Sequence, residues 1–294
     1  MTIVHKSTPP PQPTEMSPPS TSQVVIPDPK PDSPTPHTNQ TEASNNEEAS
    51  DSEGDAAFQP PKLRLEVRDL GRPGASEFLS AVNASTLLAA AARRVQRQLY
   101  QSSPASCPPT RSVTVVLRNM GGVAYTTGTE LDPEHHKEIH LSLSYVAGVK
   151  PKSRLAAEIE GVLTHEMVHC YQWNGLGTCP GGLIEGIADW VRLRCRLSPP
   201  HWRRDTGVDW DSGYQHTAYF LEYLEWKFGE GTVRKINENL RDQKYEEKEF
   251  WKGLFGRSVG HLWEDYIDKV KRDDDLLAGK EEAEKDTVDH GTQT

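Results

Sequence analysis

His165-Glu166-Met167-Val168-His169 places two histidines four positions apart around a glutamate, an H-E-x-x-H pattern. On a helix, positions i and i+4 share one face, so two imidazoles there can reach one metal ion with bonds of about 2.0–2.1 Å. Glu166 can then reach a water on the open side of the ion, and the chemistry this permits is metal-assisted hydrolysis. A catalytic zinc needs a third protein ligand. Glu185 and Asp189, four apart in GGLIEGIAD, are the candidates. One carboxylate would bind the metal and the other would accept a hydrogen bond from the far nitrogen of a ligand imidazole. The residues read with Glu185 on the metal and Asp189 on the imidazole, and the swapped assignment stays open. A plainer account makes Glu185, Asp189, Arg192 and Arg196 a solvated stripe of ion pairs, beside two surface histidines. Zinc lowers the pKa of bound water to about 7 and polarises a carbonyl, Glu166 serves as general base, and the oxyanion needs a further donor. Tyr214 is the first candidate donor, with His216 and Tyr219 after it.

These side chains need a helix under 165–169 and another under 185–189. Leu155, Ile159, Val162 and Leu163 recur at helical spacing, with Ser153 as the expected cap and Asn174-Gly175 as the expected end. The second helix is expected over about Leu183–Leu197, stopped by Pro199-Pro200. Further helices are expected over 84–100, about Tyr214–Phe228, 230–241 and 258–271. Leu63–Val67, Ser112–Arg118, Val123–Thr127 and Ile139–Tyr145 read as strands, and the polar Thr129–Lys137 between the last two as a loop. Strands with one helix, followed by helices, give an α+β class. Either Val123–Thr127 or Ile139–Tyr145 can form an edge that lines a cleft and holds an extended peptide.

Other clusters bear on chemistry. His135, His136 and His140 can bind metal, although their polar setting predicts exposed side chains. Cys170 follows His169 but points about 100° away around the helix, as a core thiol does, and Cys179 could approach it across the loop. With Cys107 and Cys195 they are too few for a disulfide scaffold, so reduced thiols are expected. Trp173, Trp190, Trp202, Trp210 and Trp226 are expected to build the helical core.

The chain has 294 residues and a net charge of −10, unevenly spread. Residues 1–60 carry two Lys and nine Asp/Glu (−7), and residues 271–294 carry four basic and eight acidic side chains (−4), which leaves +1 for the rest. Thirteen of the 22 prolines lie within residues 1–61, while all seven tryptophans lie between Trp173 and Trp263. The expected organisation is a disordered Pro/Ser/acidic region over 1–60, a folded domain over 61–270 and a disordered acidic tail over 271–294. The PPPQP run at 9–13 is expected to be linker rather than an SH3 ligand. No apolar run approaches a membrane span and no basic patch suggests nucleic acid. The first residues lack the apolar stretch of a signal peptide, which predicts a cytoplasmic protein.

The stretch HEMVHCYQWNGLGTCPGGLIEGIADWVRLR (165–194) closely resembles the peptidase family named after plant basic secretory proteins. GVAYTTG…EIHLSLSYV (122–146) and GYQHTAYFLEYLE (213–225) resemble flanking blocks of that family, and the likeness spans roughly residues 63–255. The resemblance implies a zincin-like fold and a zinc-dependent peptidase acting on peptide or protein substrates. GGLIEGIAD also looks like the third-ligand helix of thermolysin-type enzymes. That likeness implies that His165, His169 and Glu185 are ligands, Glu166 the base and Asp189 the residue orienting an imidazole. Fifteen residues separate His169 from Glu185, fewer than in thermolysin, so Asp189 stays open as the ligand. The family name implies secretion, against the absent signal. The rival expectation is a non-catalytic binding or defence-related protein that keeps the fold.

Overall fold

The computed structural model describes residues 58–101 and 103–289, with side chains described as far as residue 276. The PPPQP run and nearly all of the region read as disordered lie outside the described residues.

Strand β1 (Lys62–Val67) leads through helices α1 (Pro73–Ala81) and α2 (Ala84–Tyr100) to β2 (Ser112–Arg118). β3 (Ala124–Gly128) and β4 (His136–Ser142) complete a mixed sheet in the order β1-β2-β4-β3. β1 and β4 run parallel to β2, and β3 lies antiparallel to β4 at the edge. The period-2 alternation sends Val113, Val115, Leu117, Ile139 and Leu141 to one face, each 0–1% exposed. Thr126 pairs with Ile139 and so shares that inner face.

Helix α3 (Leu143–Gly148) follows β4 directly. This corrects the expected strand Ile139–Tyr145. The Ser142 hydroxyl accepts from the Tyr145 N–H at 3.2 Å and thereby caps a helix. The expected loop Thr129–Lys137 is likewise shortened, since β4 begins at His136.

Helix α4 (Leu155–His169) is the central element, with every residue from Gly161 to Val168 buried. A 3₁₀ turn, Lys152–Arg154, takes the place of the expected Ser153 cap. The helix stops at His169 rather than at Asn174-Gly175. Its exit is held by side chains from elsewhere: Thr110 donates to the Cys170 carbonyl at 2.8 Å, and the Tyr100 hydroxyl donates to the Tyr171 carbonyl. Tertiary partners thus satisfy carbonyls that a glycine-ended helix would have bonded locally.

α5 (Gly181–Arg194) and α6 (Tyr214–Phe228) form the closest helix pair. Gly186 makes that approach possible, and Gly182 admits the chain just before α6. A Cβ at Gly182 would stand 1.6 Å from the Asp211 carbonyl oxygen, and one at Gly186 would stand 2.3 Å from Thr217 Cγ2. α7 (Thr232–Asn239), α8 (Glu247–Phe255) and α9 (Val259–Asp289) close the helical part. α1 and α8 were not foreseen, and α9 continues past the 271 boundary drawn from composition. Trp190, Trp202, Trp210, Trp251 and Trp263 are buried, but Trp226 is 67% exposed, contrary to its expected core role.

Replacing Gly186 by Ala raises helix propensity by about 1 kcal/mol but overpacks the α5–α6 contact by about 1–3 kcal/mol. Thermal melts should show a lower Tm for Gly186→Ala, whereas Gly253→Ala, in exposed helix with nothing within 4 Å of the new Cβ, should not lower it.

Candidate active site

α4 and α5 cross so that the two histidines of the first face the two carboxylates of the second. His165 is 7% exposed and Asp189 3%. His165 Nδ1 lies 2.6 Å from Asp189 Oδ1, and His165 Nε2 lies 3.1 Å from Glu185 Oε2. His169 Nε2 lies 3.2 Å from His165 Nε2 and 3.7 Å from Glu185 Oε2. An ionised carboxylate only accepts, so the proton between His165 and Asp189 sits on Nδ1. With Nδ1 committed to Asp189, His165 turns Nε2 toward Glu185 Oε2 and His169 Nε2.

Two imidazole nitrogens and a carboxylate oxygen converging on one point favour positive charge there, carried by a proton or by a metal ion. Bonds of about 2.0–2.1 Å to a tetrahedral zinc put neighbouring ligand atoms about 3.3 Å apart, and the triangle here has edges of 3.1, 3.2 and 3.7 Å. The donor set and its spacing fit zinc. Among the described residues this is the one group of His, Cys, Asp and Glu with that convergence. The electrostatics agree in sign. Burial opposes the charged imidazole, but hydrogen bonds to Asp189 and Glu185 outweigh it and push His165 up to about 9. Burial likewise opposes ionised Glu185, but the two histidines outweigh it and hold the carboxyl down to about 2.

Glu166, next to His165, is buried at 6% exposure. Its Oε2 lies 2.7 Å from the Thr126 hydroxyl on β3. Tyr214 opens α6 with φ +46° behind Gly213 at φ +82°, and its ring stacks over His165 with centroids 6.2 Å apart. The Thr217 hydroxyl steadies this turn, accepting from the Gly213 N–H at 3.0 Å and donating to the Trp210 carbonyl at 2.7 Å. The charge of Glu185, followed by burial, raises the Tyr214 phenol above its usual range.

All six residues read as the site are thus brought together: His165, Glu166, His169, Glu185, Asp189 and Tyr214. His216 and Tyr219 are not among the residues lining the cleft, which has a volume of about 960 Å³. Edge strand β3 lines it through Ala124, Tyr125 and Thr126, with Val123 just before it.

Other expectations resolve differently. His140 is buried, stacked on Tyr125 with its Nε2 3.1 Å from Glu138 Oε2, while His135 pairs with Asp132 and His136 with Ser112. The expected exposure therefore fails for His140, and the three do not converge. Cys170 is a buried thiol, and it and Cys179 are unpaired, as are Cys107 and Cys195. Burial pushes the Cys179 and Cys107 thiols up to about 12.

Sequence reading missed two features. Thr126 was seen only as part of a strand, and a lone Thr carries no motif. Arg192 was placed in a solvated stripe, yet it is 7% exposed in the cleft wall. It donates to Glu158 Oε1 at 3.1 Å and to the Leu197 carbonyl at 3.0 Å, beneath the Trp202 ring. Glu158 also accepts from the Tyr145 hydroxyl at 2.8 Å.

Cutting Arg192 to Met removes the buried cation from Glu158 and leaves it the Tyr145 hydroxyl and a longer pair with Arg154 at 3.8 Å. Urea unfolding should show a loss of about 3 kcal/mol for Arg192→Met and under about 1 kcal/mol for Arg194→Met, whose pair with Glu222 is exposed.

The family model described as "Peptidase of plants and bacteria" matches residues 60–266. No curated protein and no solved structure matches the chain.

Proposed function

The chain belongs to the basic secretory protein family, peptidases of plants and bacteria, and on that premise we propose that it is a zinc-dependent peptidase of zincin-like fold. Family membership makes it a hydrolase of peptide or protein substrates. The finer reading is carried by one observation: the triangle of His165 Nε2, His169 Nε2 and Glu185 Oε2, open toward the cleft.

His165, His169 and Glu185 would hold the ion. Zinc bound there would supply a Lewis acid that polarises the scissile carbonyl and acidifies a water. Asp189 fixes the His165 tautomer so that Nε2 faces the cleft as an acceptor. Glu166, beside this centre, takes the proton of the attacking water and returns it to the leaving amine. Tyr214, with its ring over His165, offers a phenolic O–H to the oxygen that gains charge. β3, antiparallel at the sheet edge, presents unpaired main-chain groups that can hold an extended substrate.

The test is zinc stoichiometry together with cleavage of casein or a peptide. Wild type is expected to bind one zinc and to cleave. Glu166→Gln should keep the zinc and lose at least about 100-fold in kcat, and His165→Ala should lose both. Zinc affinity should fall further in Glu185→Ala than in Asp189→Ala, for which about 10–100-fold is expected. A wild type without zinc sinks the metal reading, and one that holds zinc without cleaving favours the non-catalytic binding protein. Tyr214→Phe should keep zinc and lower kcat by about tenfold or more. Unchanged turnover in Tyr214→Phe would remove the tyrosine from the chemistry.

A further inference from the structure

We propose that Thr126 is a positioning residue that sets where the Glu166 carboxylate stands, an inference that rests on the peptidase reading above. Thr126 Oγ1 lies 2.7 Å from Glu166 Oε2 and 3.0 Å from the carbonyl oxygen of the same residue. A hydroxyl has one proton to give. The ionised carboxylate is the nearer and stronger acceptor, so the bond runs to Oε2, with the main-chain oxygen of Glu166 close by. Among the described residues no other side chain bonds to this carboxylate.

A glutamate side chain turns about three bonds, and in a cleft an untethered carboxylate would sample several positions. The Thr126 bond occupies Oε2 and leaves Oε1 free for proton transfer. The position of Thr126 is itself inherited from the core. It pairs across the strands with Ile139, which is 0% exposed, so the hydroxyl is held on the inner face at one register of β3. The chain of placement thus runs from Ile139 in the core, through the β3–β4 ladder, to Thr126 and then to the base.

Thr126→Val keeps the shape and β-branching and removes only the hydroxyl. In the full-length, zinc-loaded protein, kcat on a peptide should fall by about ten- to a hundredfold, because small misplacements of a reacting group are costly. KM should stay within about threefold and zinc stoichiometry should be unchanged, since uniform binding is untouched, while the bond lost to a buried carboxylate should lower Tm by a few degrees. Thr126→Ser restores the donor and should return kcat to within about threefold of wild type. A crystal structure of Thr126→Val should show the Glu166 carboxylate away from its wild-type position, with His165, His169 and Glu185 unmoved. Wild-type kcat in Thr126→Val, loss of zinc in it, equal losses in the Val and Ser variants, or an unmoved carboxylate would each overturn the positioning role. A wild type that binds zinc and cleaves nothing would instead defeat the peptidase reading, and the crystallographic comparison would still decide whether Thr126 places Glu166.

Discussion

One buried imidazole, gripped at both nitrogens, is the constraint around which this structure is arranged. His165 meets Asp189 through Nδ1 and Glu185 through Nε2, and both carboxylates come from one face of α5. A buried carboxylate without a partner is costly, so Asp189 at 3% exposure ties α5 to α4 at a single register. Slipping either helix by one residue would rotate its side chains by about 100° and break both contacts. The second tether points the same way: Gln172, just beyond α4, donates to the carbonyl of Ile184, the residue before Glu185.

That crossing dictates what surrounds it. α4 is buried nearly all round, so the sheet must cover one side of it and α2 and α5 others. α6 must then approach α5 closely enough to bring Tyr214 over His165, and the small residues Gly182 and Gly186 leave it the room. The far wall of the cleft is closed by Arg192, Glu158 and Tyr145, a polar cluster whose members satisfy one another. Most buried polar groups near the cleft therefore serve geometry.

What the residues revealed in advance follows from how locally each feature is encoded. The H-E-x-x-H face, the carboxylates four apart and the β-branched run of β2 are periodic signals, visible in any short window. Which imidazole nitrogen Glu185 and Asp189 each meet was not visible, because spacing says only which carboxylates share a face. α3 was hidden because LSYVAG continues an apolar strand, and only the Ser142 cap turns it into a helix. The end of α4 was misplaced for the opposite reason: Thr110 and Tyr100, distant in sequence, supply the partners that stop it. Thr126 and the buried pairing of Arg192 were illegible because their meaning lies wholly in what sits across from them.

The separations along the chain carry a consequence for how this centre assembles. His165 lies 20 positions from Glu185 and 24 from Asp189, whereas Glu166 and Thr126 are 40 apart. The proposed ion site is therefore contained in one helix–loop–helix unit, which closes through a short stretch of chain. The hydroxyl proposed to steady the base comes from the sheet instead. The fold thus draws the two parts from different places: one helix–loop–helix supplies the proposed ion ligands, and the sheet supplies the hydroxyl proposed to hold the base.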